Sequence, residues 1–333
     1  MRAVVLVGGF GTRLRPLTLT TPKPMLAVGH RPIVENLVRM LAQAGIDEVV
    51  LGLGFRPEPF MNAYPDGTCA GVSLHYAVEP EPLDTGGAIR FAADHAGIDE
   101  TFVVVNGDII TDLDVAALIA RHRDSGAEAT IHLTPVEDPS AYGVVAVGAN
   151  GCVERFVEKP APGTAPSNLI NAGTYVFEPE VLTRIPTGRK VSIERETFPS
   201  LVADGRLFAW ATDDYWIDTG RPETYRRANL DLVDGHRSVT VPMIDDGAEV
   251  DASAEVRHSL VSAGASVAAG ARILDSVVLP GAVIGPGAEV RESIVMGAVG
   301  SLCVVVDSVI GARGSVPAGT TLEHARVPPP PYE

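Results

Sequence analysis

Apolar residues in the first two thirds of the chain form short continuous runs, separated by longer segments with helical spacing. Such runs predict strands, and strands without a polar face are typical of a parallel sheet that is buried on both sides. The predicted strands occupy residues 3–7, 49–53, 74–79, 101–105 and 129–133. Helical periodicity is found between several of them, at residues 32–44, 86–95 and 115–123. The alternation predicts an α/β domain with a doubly wound, mostly parallel sheet, which binds ligands beyond the carboxyl ends of its strands.

The pattern changes near residue 241, where isolated aliphatic residues recur every six positions among many glycines and alanines. A hexapeptide period indicates a parallel β-helix, in which each turn buries one aliphatic side chain against its neighbours. The predicted buried positions are Val261, Val267, Ile273 and Leu279 and then, after a one-residue slip, Ile284, Val290, Met296 and Leu302; Ile310, Val316 and Leu322 resume the repeat, and Val250 and Val256 precede it. We therefore predict an α/β domain over residues 1–235, a β-helix over 243–325 and a Pro-rich tail over 326–333.

Composition excludes several classes of protein. The 333 residues carry a formal net charge of -16, which disfavours binding to nucleic acid or to an anionic membrane. No apolar segment is long enough to predict a membrane span, and residues 1–9 resemble a first buried strand more than a signal peptide. Cys69, Cys152 and Cys303 are widely separated and form no disulfide framework, which favours a reducing, cytoplasmic location.

A glycine-rich segment directly after the first predicted strand is the strongest candidate for chemistry. Gly8, Gly9 and Gly11 leave backbone N–H groups open to phosphate oxygens, and the sequence fits neither a Walker loop nor a dinucleotide fingerprint. Arg13 and Lys23 follow closely and add positive charge. Only three lysines occur in the chain, and two of them, including Lys23, precede a proline. The segment thus predicts a triphosphate site, the alternative being a tight strand-to-helix turn with surface charges.

Two aspartates occupy positions suited to a metal ligand. Asp108 follows the end of a predicted buried strand, and Asp218 follows a short aromatic and apolar run. Mg²⁺ in phosphoryl-transfer sites commonly takes one or two carboxylates and completes its shell with substrate phosphates and water. The pair therefore predicts a magnesium site, although each aspartate alone is better explained as a turn or cap residue.

The ordered motifs resemble those of the nucleotide-sugar pyrophosphorylases, and most closely the mannose-1-phosphate guanylyltransferases. The resemblance covers about residues 1–234 and rests on nine segments: 8–15 (GGFGTRLR), 22–25 (PKPM), 83–88 (LDTGGA), 106–108 (NGD), 142–145 (YGVV), 155–160 (RFVEKP), 171–175 (NAGTY), 192–199 (SIERETFP) and 216–220 (WIDTG). It implies a nucleotidyltransferase domain followed by a left-handed β-helix. It also makes a homo-oligomer, formed through the β-helix, an expectation.

The resemblance implies a role for each matching residue. Arg13 and Lys23 would hold the phosphates during catalysis, and Asp108 and Asp218 would bind Mg²⁺. The residues implied at the nucleotide are Gly8, Gly9, Gly11, Thr12, Glu79, Asp84, Thr85 and Gly86. Those implied at the sugar phosphate are Asn106, Gly143, Glu158, Lys159 and Asn171, with Lys159 on its phosphate and Glu158 on its hydroxyls. The implied reaction is in-line attack of the sugar 1-phosphate on the α-phosphorus of GTP, giving GDP-sugar and pyrophosphate.

Glu79 is the residue that indicates the choice of base. Related thymidylyl- and uridylyltransferases usually have glutamine at this place. A carboxylate only accepts hydrogen bonds, and guanine presents two adjacent donors, whereas uracil and thymine present one donor flanked by carbonyls. Glu79 therefore favours GTP, with mannose 1-phosphate as the expected partner, unless it is a simple exposed glutamate. Asp84 departs from the family, which commonly has glycine there.

Three alternatives remain open at this stage. The same chemistry could use UTP, dTTP or ATP with glucose 1-phosphate or another hexose 1-phosphate. The chain could instead be a regulatory subunit without catalytic activity, although the presence of Arg13, Lys23, Asp108 and Asp218 disfavours this. Acyl transfer by the β-helix is the least favoured, because only His258 and His324 lie in that region.

Overall fold

A computed structural model describes residues 1–54 and 57–330. The chain forms two compact units. The first unit comprises residues 1–9 and 34–216, and the second comprises residues 10–33 and 217–333. The glycine-rich segment is thus shared, because Gly8 and Gly9 belong to the first unit and Gly11 to the second. The last three residues of the predicted tail are outside the described range.

The predicted strands and helices of the α/β region are confirmed to within two residues at each end. Strands of the described chain before residue 219 are β1 (Arg2–Leu6), β2 (Ala27–Val28), β3 (Arg31–Pro32), β4 (Glu48–Leu53), β5 (Thr68–Cys69), β6 (Val72–Val78), β7 (Phe102–Asn106), β8 (Ile109–Thr111), β9 (Ala129–Pro135), β10 (Gly143–Val147), β11 (Val153–Glu158), β12 (Leu169–Phe177), β13 (Leu207–Ala211) and β14 (Trp216–Asp218). The α-helices are α1 (Ile33–Gln43), α2 (Glu58–Ala63), α3 (Asp84–His95), α4 (Val115–Ser125), α5 (Glu180–Thr183), α6 (Phe198–Ala203) and α7 (Pro222–Val233). Within the described residues, each helix is too short or too polar to cross a bilayer.

The first unit is built on a ten-stranded sheet in the order β11-β10-β12-β7-β1-β4-β6-β5, with β9 joined to β12 and β13 to β9. Its centre is parallel, as predicted, because β1 pairs in parallel with β4 and β7, and β4 with β6. Ala3, Val4 and Val5 of β1 are all fully buried, which explains the continuous apolar run.

The sheet as a whole is mixed, because its other half contains antiparallel pairs. There β12 is antiparallel to β7, β9 and β10, and β10 is antiparallel to β11. The β10–β11 connection turns at Asn150 and at Gly151, whose φ is 84°. An Asn-Gly pair between two apolar runs is a strong hairpin signal, because both residues tolerate positive φ. The signal was present in the sequence and predicts the antiparallel pair.

The second unit contains the predicted β-helix. Three parallel sheets of five strands each give five coils. Its strands are β15 (Glu249–Val250), β16 (Glu255–Arg257), β17 (Leu260–Val261), β18 (Ser266–Val267), β19 (Arg272–Leu274), β20 (Val277–Val278), β21 (Val283–Ile284), β22 (Glu289–Arg291), β23 (Ile294–Val295), β24 (Ala298–Val299), β25 (Val304–Val306), β26 (Val309–Ile310), β27 (Ser315–Val316), β28 (Thr321–Glu323) and β29 (Arg326–Val327).

The predicted six-residue frame is wrong at some positions. Leu302 is 72% exposed with φ 56°, and Met296 is only half-buried next to the core residue Val295. Leu279 is buried, but the residue of the aliphatic core is its neighbour Val278. The valines and isoleucines of this core are Val261, Val267, Ile273, Val278, Ile284, Val290, Val295, Val299, Val305, Ile310 and Val316. Successive members of this list are six residues apart, except for one five-residue step per coil and a four-residue step from Val295 to Val299.

A buried serine explains the shortened corner. In successive coils, a residue with positive φ precedes Ser259, Ser276, Ser293 and Ser308. Each serine hydroxyl donates to the carbonyl two residues earlier and accepts the N–H of the equivalent residue in the next coil at 3.0 Å. The ladder satisfies polar groups that the tight corner would otherwise bury without partners.

His258, at the first of these corners of the β-helix, forms hydrogen bonds with two carboxylates of the second unit. Its Nδ1 lies 2.5 Å from Asp275 Oδ1, and its Nε2 lies 2.9 Å from Asp234 Oδ2. The hydrogen bond to Asp275, with a smaller contribution from Asp234, raises the pKa of His258 above its usual value. The protonated imidazole therefore stabilises the folded state fully below the ordinary histidine pKa, and this contribution is lost as the pH rises through the raised value.

We expect the Tm of the wild-type chain to fall by about 1–3 °C more than that of His258→Asn between pH 5.5 and 9. Asparagine suits the positive φ of 41° at this position but does not titrate. Thermal unfolding followed by circular dichroism measures the difference, and His75→Asn, at a half-exposed histidine near Glu48, is the control. Identical pH profiles for wild type and His258→Asn would contradict the assignment.

Candidate active site

Several predicted site residues follow parallel strands at their carboxyl ends. Because β1, β4, β6 and β7 run in the same direction, the residues after them lie at one edge of the sheet. Gly8 packs against Gly54, whose N lies 3.0 Å from the position that a Gly8 Cβ would take. A Cβ on Gly107 would overlap the carbonyl of Leu6. Both glycines are required by close backbone approach, which brings these loops together without side chains between them.

Glu79 is directly after β6 and is 8% exposed. Its Oε2 accepts a hydrogen bond from the Leu83 N–H at 2.9 Å, and its Oε1 lies 3.6 Å from the position of a Cβ on Gly8. Burial raises the pKa of Glu79, and the bond from Leu83 lowers it in part. The interpretation as a simple exposed glutamate is therefore wrong. The carboxylate is fixed beside a glycine of the predicted phosphate loop.

Asp84 begins α3 with φ 61°, in the left-handed region. This explains why glycine is common at this place in the family that the sequence resembles, and why aspartate is tolerated. The Asp84 side chain accepts the Thr85 N–H at 2.8 Å, which stabilises the turn. The Asp84 carboxylate thus accepts a hydrogen bond within the turn that begins α3.

Thr85 and Gly86, in the first turn of α3, form hydrogen bonds with residues 191–194. The Thr85 hydroxyl donates to Glu194 Oε2 at 2.7 Å and accepts the Ile193 N–H at 3.0 Å. The Gly86 N–H donates to Val191 O at 2.8 Å, and a Cβ on Gly86 would lie 3.0 Å from the same oxygen. Gly86 therefore has a packing role, and its contact with a nucleotide stays a prediction.

Asn106 and Asn171 are held by a bulge in β12. Pairing of β12 with β9 is interrupted between Asn171 and Tyr175, and Gly173 has φ 76°. Asn171 donates to the Tyr175 hydroxyl at 2.9 Å and accepts the Gly173 N–H at 2.9 Å. A Cβ on Gly173 would lie 2.8 Å from Asn106 Nδ2, so the two asparagines converge on the bulge. Tyr175 is fully buried, burial raises its pKa, and hydrogen bonding to both asparagines lowers it in part.

Gly143, Glu158 and Lys159 meet at the β10–β11 pair. Gly143 is opposite Glu158, whose Oε2 lies 3.0 Å from the position of a Cβ on Gly143. Lys159 Nζ lies 3.5 Å from Glu158 Oε1, and the lysine side chain is 62% exposed. Burial, and then the charge of Glu194, raise the pKa of Glu158, while Lys159 lowers it. Lys159 has φ 47°, a left-handed conformation that is costly for lysine.

The second unit holds the cationic part of the glycine-rich segment. Gly11, with φ 59°, begins a 3₁₀ turn over Thr12–Leu14. A Cβ on Gly11 would lie 2.9 Å from Thr18 Cγ2 and 3.2 Å from Lys23 Cβ, so only glycine fits. Gly9 and Thr12 are exposed, and Gly9 has open space on its Cβ side within the described residues. The backbone there is accessible to a ligand.

Arg13, Lys23 and Asp218 surround Gly220. Asp218 Oδ1 accepts the Gly220 N–H at 2.6 Å and lies 3.5 Å from Lys23 Nζ. A Cβ on Gly220 would lie 2.6 Å from Arg13 Nη2. Lys23 is 6% exposed, whereas Arg13 is exposed. The arrangement is a compact group of two cations and one carboxylate, which can bind phosphate and a cation together.

Each of the two predicted metal ligands is of a chemical type that suits a divalent cation such as Mg²⁺. Asp108 lies in the turn after β7 in the first unit, and Asp218 is the last residue of β14 and belongs to the second unit; both are half-buried and have hard carboxylate oxygens. Within the described residues no group of three or more His, Cys, Asp and Glu side chains could hold a metal. Phosphate oxygens and water would therefore complete the shell, as is usual for Mg²⁺ and unlike a structural zinc site.

Sequence reasoning missed Glu194 as a group that organises this region. Glu194 Oε2 accepts hydrogen bonds from the Thr85 hydroxyl and from the Ser192 hydroxyl, each at 2.7 Å. Its negative charge also contributes to the raised pKa of Glu158. It thus connects residues predicted at the nucleotide with residues predicted at the sugar. Its signal was the Ser192 to Pro199 motif, which carried part of the resemblance but received no role.

Comparison with known protein families matches residues 2–235 to the family described as nucleotidyl transferase and residues 233–300 to the GlmU-like C-terminal hexapeptide family. Members of the nucleotidyl transferase family typically use a divalent metal.

Among curated proteins, a mannose-1-phosphate guanylyltransferase of Mycobacterium tuberculosis is 45% identical over 235 residues, covering 70% of this chain and 65% of that protein. A probable mannose-1-phosphate guanylyltransferase 3 of Oryza sativa is 40% identical, covering 78% of this chain and 72% of that protein. A mannose-1-phosphate guanyltransferase of Schizosaccharomyces pombe is 44% identical, covering 68% and 62%. The matched segment thus spans less than two thirds of the length of the first and third relatives.

Solved structures agree with the fold of the first two thirds. HddC from Yersinia pseudotuberculosis, also determined with GMP-PN, matches with a TM-score of 0.59 and 30% identity, covering 68% of this chain and 97% of that one. A putative glucose-1-phosphate thymidylyltransferase from Bacillus anthracis, in complex with sucrose, matches with a TM-score of 0.65 and 25% identity, covering 73% and 97%. With its family match over residues 2–235, the chain belongs to the nucleotidyl transferase family.

Proposed function

We propose that this protein is an Mg²⁺-dependent mannose-1-phosphate guanylyltransferase, which joins GTP and mannose 1-phosphate to give GDP-mannose and pyrophosphate. The observation that carries the proposal is the buried carboxylate of Glu79 beside Gly8, because it is an acceptor suited to the N1–H and 2-amino donors of guanine. The 40–45% identity to proteins named for this activity supports it.

In the proposed reaction, a phosphate oxygen of mannose 1-phosphate attacks the α-phosphorus of GTP. A new P–O bond forms as the bond to pyrophosphate breaks, so the leaving group carries away the displaced electron pair. Arg13 and Lys23 hold the triphosphate and balance the charge that develops on it. Glu158 and Lys159 hold the sugar hydroxyls and the sugar phosphate. Positioning and charge neutralisation then supply most of the acceleration, and no general base is required.

Asp108 and Asp218 would hold the Mg²⁺, which when bound neutralises phosphate charge. The base is held by Glu79, and the exposed backbone near Gly9 and Thr12 is open to the triphosphate. Asn106, Gly143 and Asn171 would complete the sugar side. Gly8, Gly11, Asp84, Thr85 and Gly86 would shape the nucleotide side.

Location and assembly are further parts of the proposal. The three cysteines are free, which suits a cytoplasmic protein. The β-helix offers an extended surface for a homo-oligomer. Neither nucleic acid nor membrane is expected as a partner, because the net charge is -16.

The test is a panel of GTP, UTP, dTTP and ATP, each with mannose 1-phosphate and glucose 1-phosphate, read by pyrophosphate release. We expect kcat/KM for GTP with mannose 1-phosphate to exceed every other combination by about tenfold or more. Preference for another triphosphate would overturn the proposed specificity but keep the chemistry. Absence of turnover with all eight pairs, from a folded protein that binds nucleotide, would instead favour the regulatory subunit.

Lys159→Asn is expected to raise KM for mannose 1-phosphate by about 10- to 100-fold, with KM for GTP nearly unchanged. Asparagine tolerates the positive φ of residue 159, so the substitution removes the charge without adding backbone strain. Lys190→Asn, at the exposed third lysine, is the matched control for charge. Initial-rate kinetics with each substrate varied measure the effect, and an equal rise in both KM values would contradict the role on the sugar phosphate.

A further inference from the structure

The last coil of the β-helix holds the backbone of the glycine-rich segment. Arg326, at the start of β29, donates from Nη1 to the carbonyl of Arg13 and to the carbonyl of Arg15, each at 3.0 Å. All three residues belong to the second unit. The two N–H groups of one guanidinium nitrogen thus hold the backbone at Arg13, the predicted phosphate ligand, and again two residues later at Arg15. Hydrogen bonds from a charged donor are stronger than those between neutral groups.

A second contact comes from the preceding part of the same β-helix. A Cβ on Gly311 would lie 2.7 Å from the carbonyl oxygen of Pro16 and 2.9 Å from its Cβ. The Gly311 N–H donates to Val327 O at 2.8 Å, which fixes Gly311 against the coil that carries Arg326. Pro16 is buried. Two coils therefore contact consecutive parts of one loop.

Helix α7 is hydrogen-bonded both to the segment that carries Lys23 and to the β-helix. Asn229 accepts the Gly29 N–H at 3.0 Å, and the Tyr225 hydroxyl donates to Ala27 O. Arg226 donates to Asp275 O of the β-helix at 2.8 Å. Asp218, just before α7, and Lys23, in the same segment as Gly29, thus lie on one hydrogen-bonded body with the β-helix.

We propose that Arg326 is a positioning residue, which fixes the loop of Arg13 through its backbone and thereby sets the affinity for the triphosphate. Gly311 is the second contact in this device, because it leaves room for Pro16. The β-helix then has a role in nucleotide binding besides any role in assembly. The inference rests on the proposed function for the identity of the triphosphate, but not for the contacts themselves.

The test compares Arg326→Ala, Gly311→Ala and Arg326→Lys in the full-length protein. We expect Arg326→Ala to lower kcat/KM for GTP about tenfold, because small displacements of a binding loop are amplified in rate. KM for mannose 1-phosphate should stay within about twofold of wild type, since its ligands belong to the first unit. Gly311→Ala should give the same pattern, and Arg326→Lys should recover part of the loss because it keeps the charge and donors.

Arg313→Ala, at an exposed arginine between the two contacts, is the matched control and should leave all parameters unchanged. Thermal unfolding is measured for every variant, and GTP affinity is measured separately by titration calorimetry. A loss of kcat alone in proportion to a lowered Tm would show a merely structural role and overturn the proposal. Unchanged GTP affinity in Arg326→Ala would also overturn it. A wild-type preference for another triphosphate would contradict the proposed specificity for GTP. The same titrations with that nucleotide would then test the positioning role of Arg326.

Discussion

Replacing Asp108 by asparagine is expected to lower kcat about a thousandfold, which corresponds to roughly 4 kcal/mol of lost stabilisation of the transition state. Asparagine has nearly the same shape but lacks the charge that a hard divalent cation requires. The turn should survive, because the Gly107 N–H donates to Leu6 O at 2.8 Å and holds the backbone independently of the Asp108 side chain. The Tm should therefore remain within about 2 °C of wild type.

Asp99→Asn is the control, since it removes the same charge from a carboxylate that is 90% exposed. Pyrophosphate release at several Mg²⁺ concentrations measures the effect. We expect the Asp108 variant to need more Mg²⁺ than wild type for its residual activity. Wild-type turnover by the folded variant would exclude Asp108 from the metal site.

The second large effect is expected from Glu79→Gln, which should lower kcat/KM for GTP by about a hundredfold. The amide oxygen can keep the bond from the Leu83 N–H, so the fold should be preserved. The amide NH₂ then replaces the acceptor that faces guanine donors and repels them. The same group suits the carbonyls of uracil and thymine, so relative activity with UTP and dTTP should rise.

The pH dependence of this selectivity gives a second readout. Burial raises the pKa of Glu79, so protonation on acidification begins at a higher pH than for an ordinary glutamate. A protonated carboxyl becomes a donor, and the preference for GTP should fall there in wild type but not in Glu79→Gln. Glu81→Gln, at an exposed glutamate of the same loop, is the control. An unchanged ratio of GTP to UTP activity in Glu79→Gln would refute the role in base choice.

The centre of the fold was predictable because β1, β4 and β7 are apolar on both faces. Short continuous apolar runs of this kind are typical of parallel strands that are covered on both sides. The antiparallel half was missed because residues 129–133 resemble any buried strand, and strand direction depends on connections such as Asn150-Gly151. The predicted six-residue repeat of the β-helix was wrong at Met296 and Leu302, because counting aliphatic residues does not show where a corner shortens the repeat. The repeated serine after a positive-φ residue contained that information.

For the candidate site, the sequence identified residue types and their order along the chain but not their surroundings. Glu79 could have been exposed, and only packing against Gly8 and Leu83 distinguishes it from a surface glutamate. Asp84 departs from glycine because its left-handed φ admits both residues. Arg326 lies about 310 positions from the carbonyls that it contacts, so no local pattern could have indicated it.

The most direct measurement of the central claim is the reverse reaction. The full-length protein, with Mg²⁺ and pyrophosphate, is offered GDP-mannose, UDP-glucose, dTDP-glucose and ADP-glucose in parallel, and the products are separated by chromatography. The account predicts that GDP-mannose is consumed fastest and yields GTP and mannose 1-phosphate in equal amounts. Faster consumption of any of the other three nucleotide sugars, or loss of GDP-mannose without formation of GTP, would contradict it.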